Sequence, residues 1–321
     1  MRAYVLRRLL QLPVTLVIAS VVMFMILRLI PGDMVTVLYS EFGLGGAGAL
    51  ARQQEMVLRQ ELGLDRPIYE QYYEWMRHLL TGDFGDSFWL NRPAIEVLQQ
   101  RIAPTMEIMV LGMIVGTTIG VGVGIIAAVR QDTWLDYWAR STVVAGLSMP
   151  SFVSGVLLLI ILAYGFNWLP SARYLSLTQD PVEHMKIIIW PSLLVGFHMA
   201  AGVARLTRTQ MLEVIREDYI RTAWAKGLPE RLVILRHTLR NALLPVLTLL
   251  GLYVANLISG AVVLESLFNV PGMGSGLLRS TQLRDYAVLQ LFVIVMLFYV
   301  LIVNLLVDLM YAWVDPRIRL Q

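Results

Sequence analysis

The chain has 321 residues, of which 57% are hydrophobic and 15% are charged, and its formal net charge is +3. A soluble domain is nearer half apolar and a quarter charged, so the composition indicates a membrane protein, and so small a net charge argues against a nucleic-acid partner. Cysteine is absent, which excludes disulfides and thiolate metal sites, and the four histidines lack metal-ligand spacing, so neither a metal site nor a bound cofactor is expected.

The first predicted element is a transmembrane helix over Leu9–Leu27, preceded by Arg2, Arg7 and Arg8. A basic start of this kind also opens secretory signal peptides. No small-residue cleavage site follows the apolar run, however, so we interpret the stretch as a retained span.

Residues 31–104 are too many for a simple connection between two spans. They contain two helix-like stretches, "ARQQEMVLRQELGL" and "YEQYYEWMRHLL", and aromatic residues of the kind that lie at membrane–water boundaries. The sequence predicts a small cap on the external mouth, with an unstructured loop as the alternative. The aromatic residues are Tyr72, Tyr73, Trp75 and Trp89.

The second span, Ile108–Val129, is rich in glycine. Small residues at helical spacing let helix backbones approach closely in lipid, so these glycines predict tight packing against another span. They are Gly112, Gly116, Gly120, Gly122 and Gly124.

The third apolar stretch, Ser141–Phe166, is interrupted by "SMPSF" around Pro150. If the stretch formed two spans separated at Pro150, the first would have only about nine residues, whereas roughly 20 are needed to cross a bilayer. One kinked span is therefore predicted. Three further spans bring the total to six, and the predicted fold class is an all-α polytopic membrane protein. The last three spans are Ile187–Ala204, Ala242–Leu264 and Val288–Leu309.

Lysine and arginine are concentrated in segments that lie on one side of these spans. The positive-inside rule therefore places both termini and the basic loop 205–241 in the cytoplasm. The predicted organisation is residues 1–30 as the N-terminal tail and first span, residues 31–104 as the external cap, and residues 105–321 as the remaining transmembrane core with its cytoplasmic loop.

The motifs that would make this chain an enzyme are missing from the sequence. No Gly-Lys dipeptide occurs, so there is no Walker A loop to hold nucleotide phosphates. Intramembrane proteolysis would need a catalytic constellation of Ser or His residues or an HExxH metal motif, and neither is found. His198 is the most unusual polar residue within a span, and a hydrogen bond to a neighbouring helix is favoured over a role in proton transfer.

The stretch "DYIRTAWAKGLPERLVILRHTLRNALLP", residues 218–245, is basic yet lies between two apolar spans. Its apolar residues recur at helical spacing. Gly227 is predicted to end a first helix, and "LPE" to start a second one that continues into the fifth span. The apolar face of the second helix is predicted at Leu232, Leu235 and Leu239.

This basic segment fits two kinds of partner. A basic amphipathic helix beside a membrane can lie on anionic lipid, but a short ridge with a basic rim favours a groove on another protein. Burial of a Trp removes roughly 150–250 Å² from water and is worth up to about 4–6 kcal/mol, whereas an exposed ion pair is worth about 0–1 kcal/mol. The anchors are therefore predicted at Ile220, Trp224 and Leu228.

At these residues the sequence resembles the membrane subunits of ATP-binding-cassette importers of the dipeptide/oligopeptide permease type. The general loop signature of such importers is met only at Ala223, Gly227 and Leu239, whereas the peptide-permease version matches "DYIRTAWAKGL" and "RHTLRNALLPVLT". Trp224 stands where that subfamily usually has a basic residue. The resemblance covers nearly the whole chain through further motifs in the same order: "RLIPGD", "LGLDRPIYEQYYEWMRHLLTGDFGDSF", "LSMPSFVSG", "VLESLFNVPGMGSGLL", "RDY" and "DPRIR".

The resemblance implies a type I importer permease in a bacterial plasma (inner) membrane. ATP and Mg²⁺ would be bound by partner subunits, so this chain would need no cofactor. The implied partners are a second similar permease, two cytoplasmic ATP-binding subunits, an external solute-binding protein and the lipid bilayer. The residues implied to couple the permease to the ATPase are Ile220, Ala223, Trp224, Ala225, Lys226, Gly227 and Leu228.

The substrate path is assigned from polar and flexible positions within the spans. These positions are His198, Asn256, Ser259, Ser148 and Pro150. Dipeptides or oligopeptides are the substrates that the resemblance implies, with nickel chelates, glutathione, opines or oligosaccharides as alternatives. A stand-alone secondary carrier and a membrane scaffold or receptor are the alternatives from other functional classes.

Overall fold

The computed structural model describes residues 2–29, 31–41, 49–171 and 173–314. Within them the chain is helical apart from connections and one short antiparallel hairpin, in which Ser87 lies opposite Arg92. The predicted all-α class is confirmed. In chain order the elements are α1 (Arg2–Leu29), α2 (Met34–Glu41), α3 (Ala49–Glu61), α4 (Ile68–Thr81), β1 (Asp86–Ser87), β2 (Arg92–Pro93), α5 (Ala94–Val129), α6 (Trp134–Ser148), α7 (Ser151–Phe166), α8 (Pro181–Ile215), α9 (Asp218–Ala225), α10 (Glu230–Leu232), a π-helix (Val233–Thr238), α11 (Leu239–Leu267), α12 (Met273–Gln282) and α13 (Tyr286–Val314).

Among the described residues, five helical segments are long and apolar enough to cross a membrane, and a bent pair of helices makes six if it counts as one span. The predicted number of six agrees with the larger of these counts. The five segments are Leu10–Tyr39, Ala94–Val129, Pro181–Ile215, Glu230–Leu267 and Tyr286–Val307.

The bent pair lies where the sequence predicted a single kinked span, and it is either one broken span or a re-entrant loop. Helices α6 and α7 differ in direction by 108°. At the break, Met149 is extended (φ −92°, ψ 122°) and Pro150 has φ −59° and ψ 143°. Proline disfavours the helical conformation in the residue before it and lacks an N–H of its own. The position of the break was therefore predicted correctly, but its angle was not.

The structure divides into two compact units, each described by itself. The first contains Ala103–Gly274 and residues 300–314. Its central element is α8, whose most apolar stretch is 72% buried, and helices α6, α7 and α11 pack around it. One of the buried clusters that join α8 to α11 consists of Met199, Val203 and Val246.

Helix α5 approaches α8 through its glycines, which confirms the predicted packing role. A Cβ added at Gly120 would lie 2.7 Å from Val203 Cβ, closer than real Cβ contacts allow, whereas one added at Gly122 would meet no atom within 4 Å. The absent side chains bring the two backbones together and increase their dispersion contact. The glycines that contact α8 in this way are Gly112, Gly116, Gly120 and Gly124.

The second unit contains Arg2–Ile102 and Ser275–Tyr299. The two helix-like stretches of the predicted external segment are helices α3 and α4. Helix α4 packs on α1, where the ring of Phe24 lies 5.3 Å from that of Tyr72 and 5.6 Å from that of Trp75. This part of the segment is therefore helical and packed, whereas residues 42–48 lie outside the described residues and the role of the segment as an external cap stays a prediction.

The hairpin of the second unit is fastened to the turn between α12 and α13. Ser87 Oγ donates to Asp285 Oδ2 at 2.6 Å, and Trp89 Nε1 donates to the Leu283 carbonyl at 2.9 Å. Burial raises the pKa of Asp285, and hydrogen bonds from Ser87 and from neighbouring backbone N–H groups oppose that rise. A partly desolvated carboxyl group thus holds two distant parts of the chain together.

Candidate functional site

The segment between α8 and α11 folds as a short helix, a glycine turn and a second helix. Helix α9 begins at Asp218 and ends at Ala225, and Gly227 follows it with a φ of +74°. The Gly227 N–H donates to the Trp224 carbonyl at 2.9 Å, which closes the helix. Glycine adopts a positive φ without steric cost, so the predicted helix end at Gly227 is confirmed.

Ile220 and Ala223 form the buried face of α9. They cluster with Val233 of the π-helix, and Val214 and Leu228 pack against this cluster. The apolar residues thus hold the segment together and attach it to the end of α8. Ile220, which the sequence pattern predicts as an anchor for another protein, is covered here by the segment's own residues.

The remaining side chains of α9 are exposed. Trp224 is 45% exposed, and Lys226 follows it at the end of the helix. Arg221 donates to Asp218 at 3.2 Å in an ion pair whose two side chains are 73% and 95% exposed. Tyr219, also on α9, is 45% exposed as well. The exposed surface of α9 therefore presents two large aromatic side chains together with solvated charges.

The second helix starts with one turn of α-helix, α10, and continues as the π-helix. In a π-helix the hydrogen bond spans five residues instead of four. Val233 and Thr238, five apart, are accordingly both fully buried, and Thr238 Oγ1 donates to the Val233 carbonyl at 3.2 Å. The predicted apolar face assumed α-helical spacing and is wrong at Leu235, which is 46% exposed.

A hydrogen bond ties α9 to the start of α11. Asn241 Nδ2 donates to the Tyr219 hydroxyl at 2.8 Å and to the His237 carbonyl at 3.1 Å. Together with the buried cluster around Ile220, this bond fixes α9 to the long helix that follows.

His198 joins α8 to the break between α6 and α7. Its Nδ1 lies 3.0 Å from the Gly146 carbonyl oxygen, and its Nε2 lies 2.9 Å from Ser154 Oγ. A carbonyl oxygen only accepts, so Nδ1 carries the donated proton. The predicted path residues Ser148 and Pro150 are exposed beside the same break.

Asn256 and Ser259, the other predicted path residues, lie on an exposed face of α11. Leu252 and Gly260 continue this face at helical spacing, and a Cβ at Gly260 would meet no atom within 4 Å. Asn256 Nδ2 donates to the Leu252 carbonyl at 2.8 Å. The face thus exposes one amide and one hydroxyl beside the apolar Leu252.

A buried network around Glu265 was not predicted from the sequence. Thr105 Oγ1 donates to Glu265 Oε1 at 2.6 Å, and the Met273 N–H donates to Thr105 Oγ1 at 2.8 Å. A Cβ at Gly272 would overlap the Glu265 carboxyl group, which explains the glycine there. Among the residues that the structure describes, no group of three or more His, Asp or Glu side chains is arranged to hold a metal ion.

Comparison with known proteins identifies the family. Residues 120–320 match the family described as "Binding-protein-dependent transport system inner membrane component", and residues 1–108 match "Binding-prot-dependent transport system membrane comp, N-term". The chain is also similar to the glutathione transport system permease protein GsiC. It is 39% identical over 317 residues to that of Salmonella paratyphi A and to that of Salmonella typhi, and 38% identical over 316 residues to that of Escherichia coli K12, with 98% of both chains covered each time.

The chain therefore belongs to the family of binding-protein-dependent transport system inner-membrane components, as its resemblance to importer permeases implied. It is a multi-pass, non-catalytic permease subunit of an ATP-binding-cassette importer. A permease of this kind works with ATPase subunits, a binding protein and a second permease.

Proposed function

We propose that this subunit forms one half of a path for short peptides, glutathione among them, and that Ile220 and residues 223–228 couple the path to a separate ATPase subunit. The similarity to glutathione transport permeases supports the substrate class, because glutathione is itself a small peptide. In this proposal both termini and the basic loop lie in the cytoplasm, as the distribution of lysine and arginine favours.

The observation that carries the coupling role is the division of α9 into an attached face and an exposed face. Ile220 and Ala223 attach the helix to the rest of the unit, while Trp224 projects outward. A helix that is fixed on one side and exposed on the other can bind a groove in a second protein and move with it. The hydrogen bond between Tyr219 and Asn241 would carry that movement into α11.

The energetic contribution of Trp224 to such a contact is limited by its partial burial. Because 45% of the residue is exposed, a partner covering that exposed part would remove roughly 70–110 Å² from water, worth about 2–3 kcal/mol. An exposed ion pair contributes about 0–1 kcal/mol. A shift of a two-state equilibrium from 1:99 to 99:1 takes about 5.5 kcal/mol of differential binding, so the contact must include other residues of the segment, such as Ala225, Lys226 and Leu228.

The path in this proposal follows the exposed face of α11 that carries Asn256 and Ser259. His198 contributes by holding α8 to the break at Ser148–Pro150, so that α6, α7 and α8 move together. The weak polarity of this face suits an importer in which an external binding protein selects the substrate.

The coupling role is tested by reconstituting the chain in proteoliposomes with its second permease, ATPase subunits and binding protein. We expect Trp224→Asp to insert normally but to abolish ATP-driven uptake. The matched control, Arg221→Gln on the same helix, should change uptake by a few fold at most, because its ion pair is exposed. Normal uptake by the Trp224→Asp variant at equal membrane levels would overturn the coupling role.

The substrate class is tested in the same assembly with labelled glutathione and a labelled dipeptide, each in competition with nickel chelates, opines and oligosaccharides. Uptake of glutathione or the dipeptide that the other compounds do not inhibit supports the proposal. Uptake by this chain alone, driven by a proton gradient, would instead identify a secondary carrier.

A further inference from the structure

A cavity of about 190 Å³ lies between α5, α6 and α8 in the first unit. Its lining is mostly apolar, but it includes three arginines. Small-molecule sites usually measure roughly 300–1,000 Å³, so this cavity is too small for a whole substrate and suits part of a chain-like molecule. The residues used below are Val123 of α5, Arg140, Val143 and Val144 of α6, and Arg205 and Arg208 of α8.

The arginines of the cavity lie nearer than Val143 and Val144 to the turn that joins α5 to α6. A four-residue turn joins α5 to α6, so the start of α6, with Arg140, lies beside the end of α5. The guanidinium group of Arg208 lies beside the first turn of α6, because it binds Asp136 there. Val143 and Val144 lie about 5–6 Å farther along α6, at 1.5 Å per residue.

Exposed aromatic residues mark where the bilayer surface lies relative to the cavity. Trp134, Tyr137 and Trp138 are all exposed in the first turns of α6. Tryptophan and tyrosine concentrate at membrane–water interfaces. The arginine end of the cavity is therefore at headgroup level, and the valine end reaches into the hydrocarbon.

The headgroup end carries an excess of positive charge. Asp136 is the acidic partner there, and it binds Arg208 at 2.7 Å and Arg140 at 3.4 Å. Arg205 is exposed and has no acidic partner among the described residues. The Asp132 carboxylate also acts electrostatically on Arg208. Three guanidinium groups thus face two carboxylates, which leaves a local charge of about +1 for an anion to neutralise.

We propose that this cavity binds one anionic phospholipid. Its phosphate group would lie on Arg205 and Arg140, and the first part of an acyl chain would lie along Val123, Val143 and Val144. Arginine suits this role because its planar group binds phosphate oxygens through two hydrogen bonds at once. Under the proposed orientation the lipid belongs to the cytoplasmic leaflet, but the binding site itself does not depend on that orientation.

The experiment uses phosphatidylglycerol with a photoreactive group on one acyl chain, and phosphatidylcholine with the same group as the neutral probe. The full chain, alone and in the complete transporter, is reconstituted in vesicles containing either probe, irradiated and mapped by peptide mass spectrometry. We expect phosphatidylglycerol to label the peptides that contain Val123 and Val143 about fivefold more than phosphatidylcholine does, which corresponds to about 1 kcal/mol for one arginine near the surface.

A charge variant and a matched control separate the site from general attraction to lipid. Arg205→Gln should remove most of this preference. Arg216→Gln, an equal loss of charge at the exposed end of the same helix, should leave it unchanged. Labelling that is equal for the two lipids, or spread over all exposed helix surfaces, overturns the proposal even if the variant fails to fold. Labelling that disappears in the complete transporter would show that a partner subunit covers the cavity and would also overturn it.

Discussion

The guanidinium group of Arg208 donates from Nε and Nη2 to the two carboxylate oxygens of Asp136, at 2.7 and 2.8 Å. The Asp136 side chain is 0% exposed, and the Asp132 N–H donates to it as well, at 3.1 Å. Planar, two-bond pairs of this kind fix both distance and orientation. The pair therefore sets how the first turn of α6 sits against α8.

The first prediction concerns this ion pair. Asp136→Asn leaves Arg208 without its charged partner and should lower the free energy of unfolding by up to about 3 kcal/mol, because removal of one member of a buried pair is costly. A double-mutant cycle with Arg208→Gln, measured by thermal unfolding, should give a coupling energy above 1 kcal/mol. The exposed pair Asp218–Arg221 is the control, and its coupling should stay at about 0–1 kcal/mol. Equal coupling for the two pairs would contradict the structural role of Asp136.

The second prediction compares two glycines of α5. Gly120→Ala places a methyl group against Val203 and the Ala200 carbonyl, so the helices must separate, and we expect a loss of about 1–3 kcal/mol of stability. Gly122→Ala meets open space and should be neutral or stabilising by up to about 1 kcal/mol, through helix propensity alone. Unfolding midpoints of the purified variants provide the measurement. Similar losses at both positions would mean that backbone flexibility, and not close packing, explains these glycines.

Local features of this fold could be predicted from the sequence. The spans follow from apolar runs, the close approach of α5 from small residues at helical spacing, and the end of α9 from Gly227. Each of these signals lies within a few residues of the feature it predicts. The same reasoning identified the segment around Trp224 as a surface for another protein, which stays a prediction.

The missed features depend on contacts between residues far apart, or on rare backbone geometry. Asp136 and Arg208 are 72 positions apart, and Thr105 and Glu265 are 160 apart, so no local pattern pairs them. Leu235 was misassigned because the π-helix shifts every later side chain relative to α-helical spacing. The 108° angle between α6 and α7 was missed because proline predicts a break but not its size.

The third prediction concerns the conformation of Gly227. A Cβ at this position would meet no atom within 4 Å, so the cost of substitution lies in the positive φ alone. Gly227→Asn should have the smallest effect, since asparagine tolerates this conformation. Gly227→Ala should cost about 1–2 kcal/mol. Gly227→Pro should be worst, because proline cannot adopt this φ or donate to the Trp224 carbonyl.

The measurement for this series is substrate imported per ATP hydrolysed by the reconstituted transporter, at equal membrane levels of each variant. Coupling should fall in the order Asn, Ala, Pro. If the proline variant couples as well as the asparagine variant, the geometry of α9 does not matter for transport.

The fourth prediction is a pH dependence with opposite signs at two carboxyl groups of the second unit. Burial raises the pKa of Asp285 above its usual value of 3.8. Its folded state therefore binds a proton more readily than its unfolded state, so its contribution to stability is greatest below pH 3.8 and is lost as the pH rises through the raised pKa. Relative to Asp285→Asn, the wild-type chain should become more stable as the pH falls from neutral.

Asp83 should behave in the reverse way. The Gly85 N–H, at 3.0 Å, and then His78, at 2.8 Å, lower its pKa below the usual 3.8. The stability it contributes is present above pH 3.8 and is lost as the pH falls through the lowered pKa. Relative to Asp83→Asn, the wild-type chain should therefore become less stable on acidification. Each comparison uses the difference in unfolding midpoint between wild type and variant, which cancels acid effects common to both. If the wild-type chain loses stability on acidification relative to both variants, hydrogen bonds rather than burial govern the ionisation of Asp285.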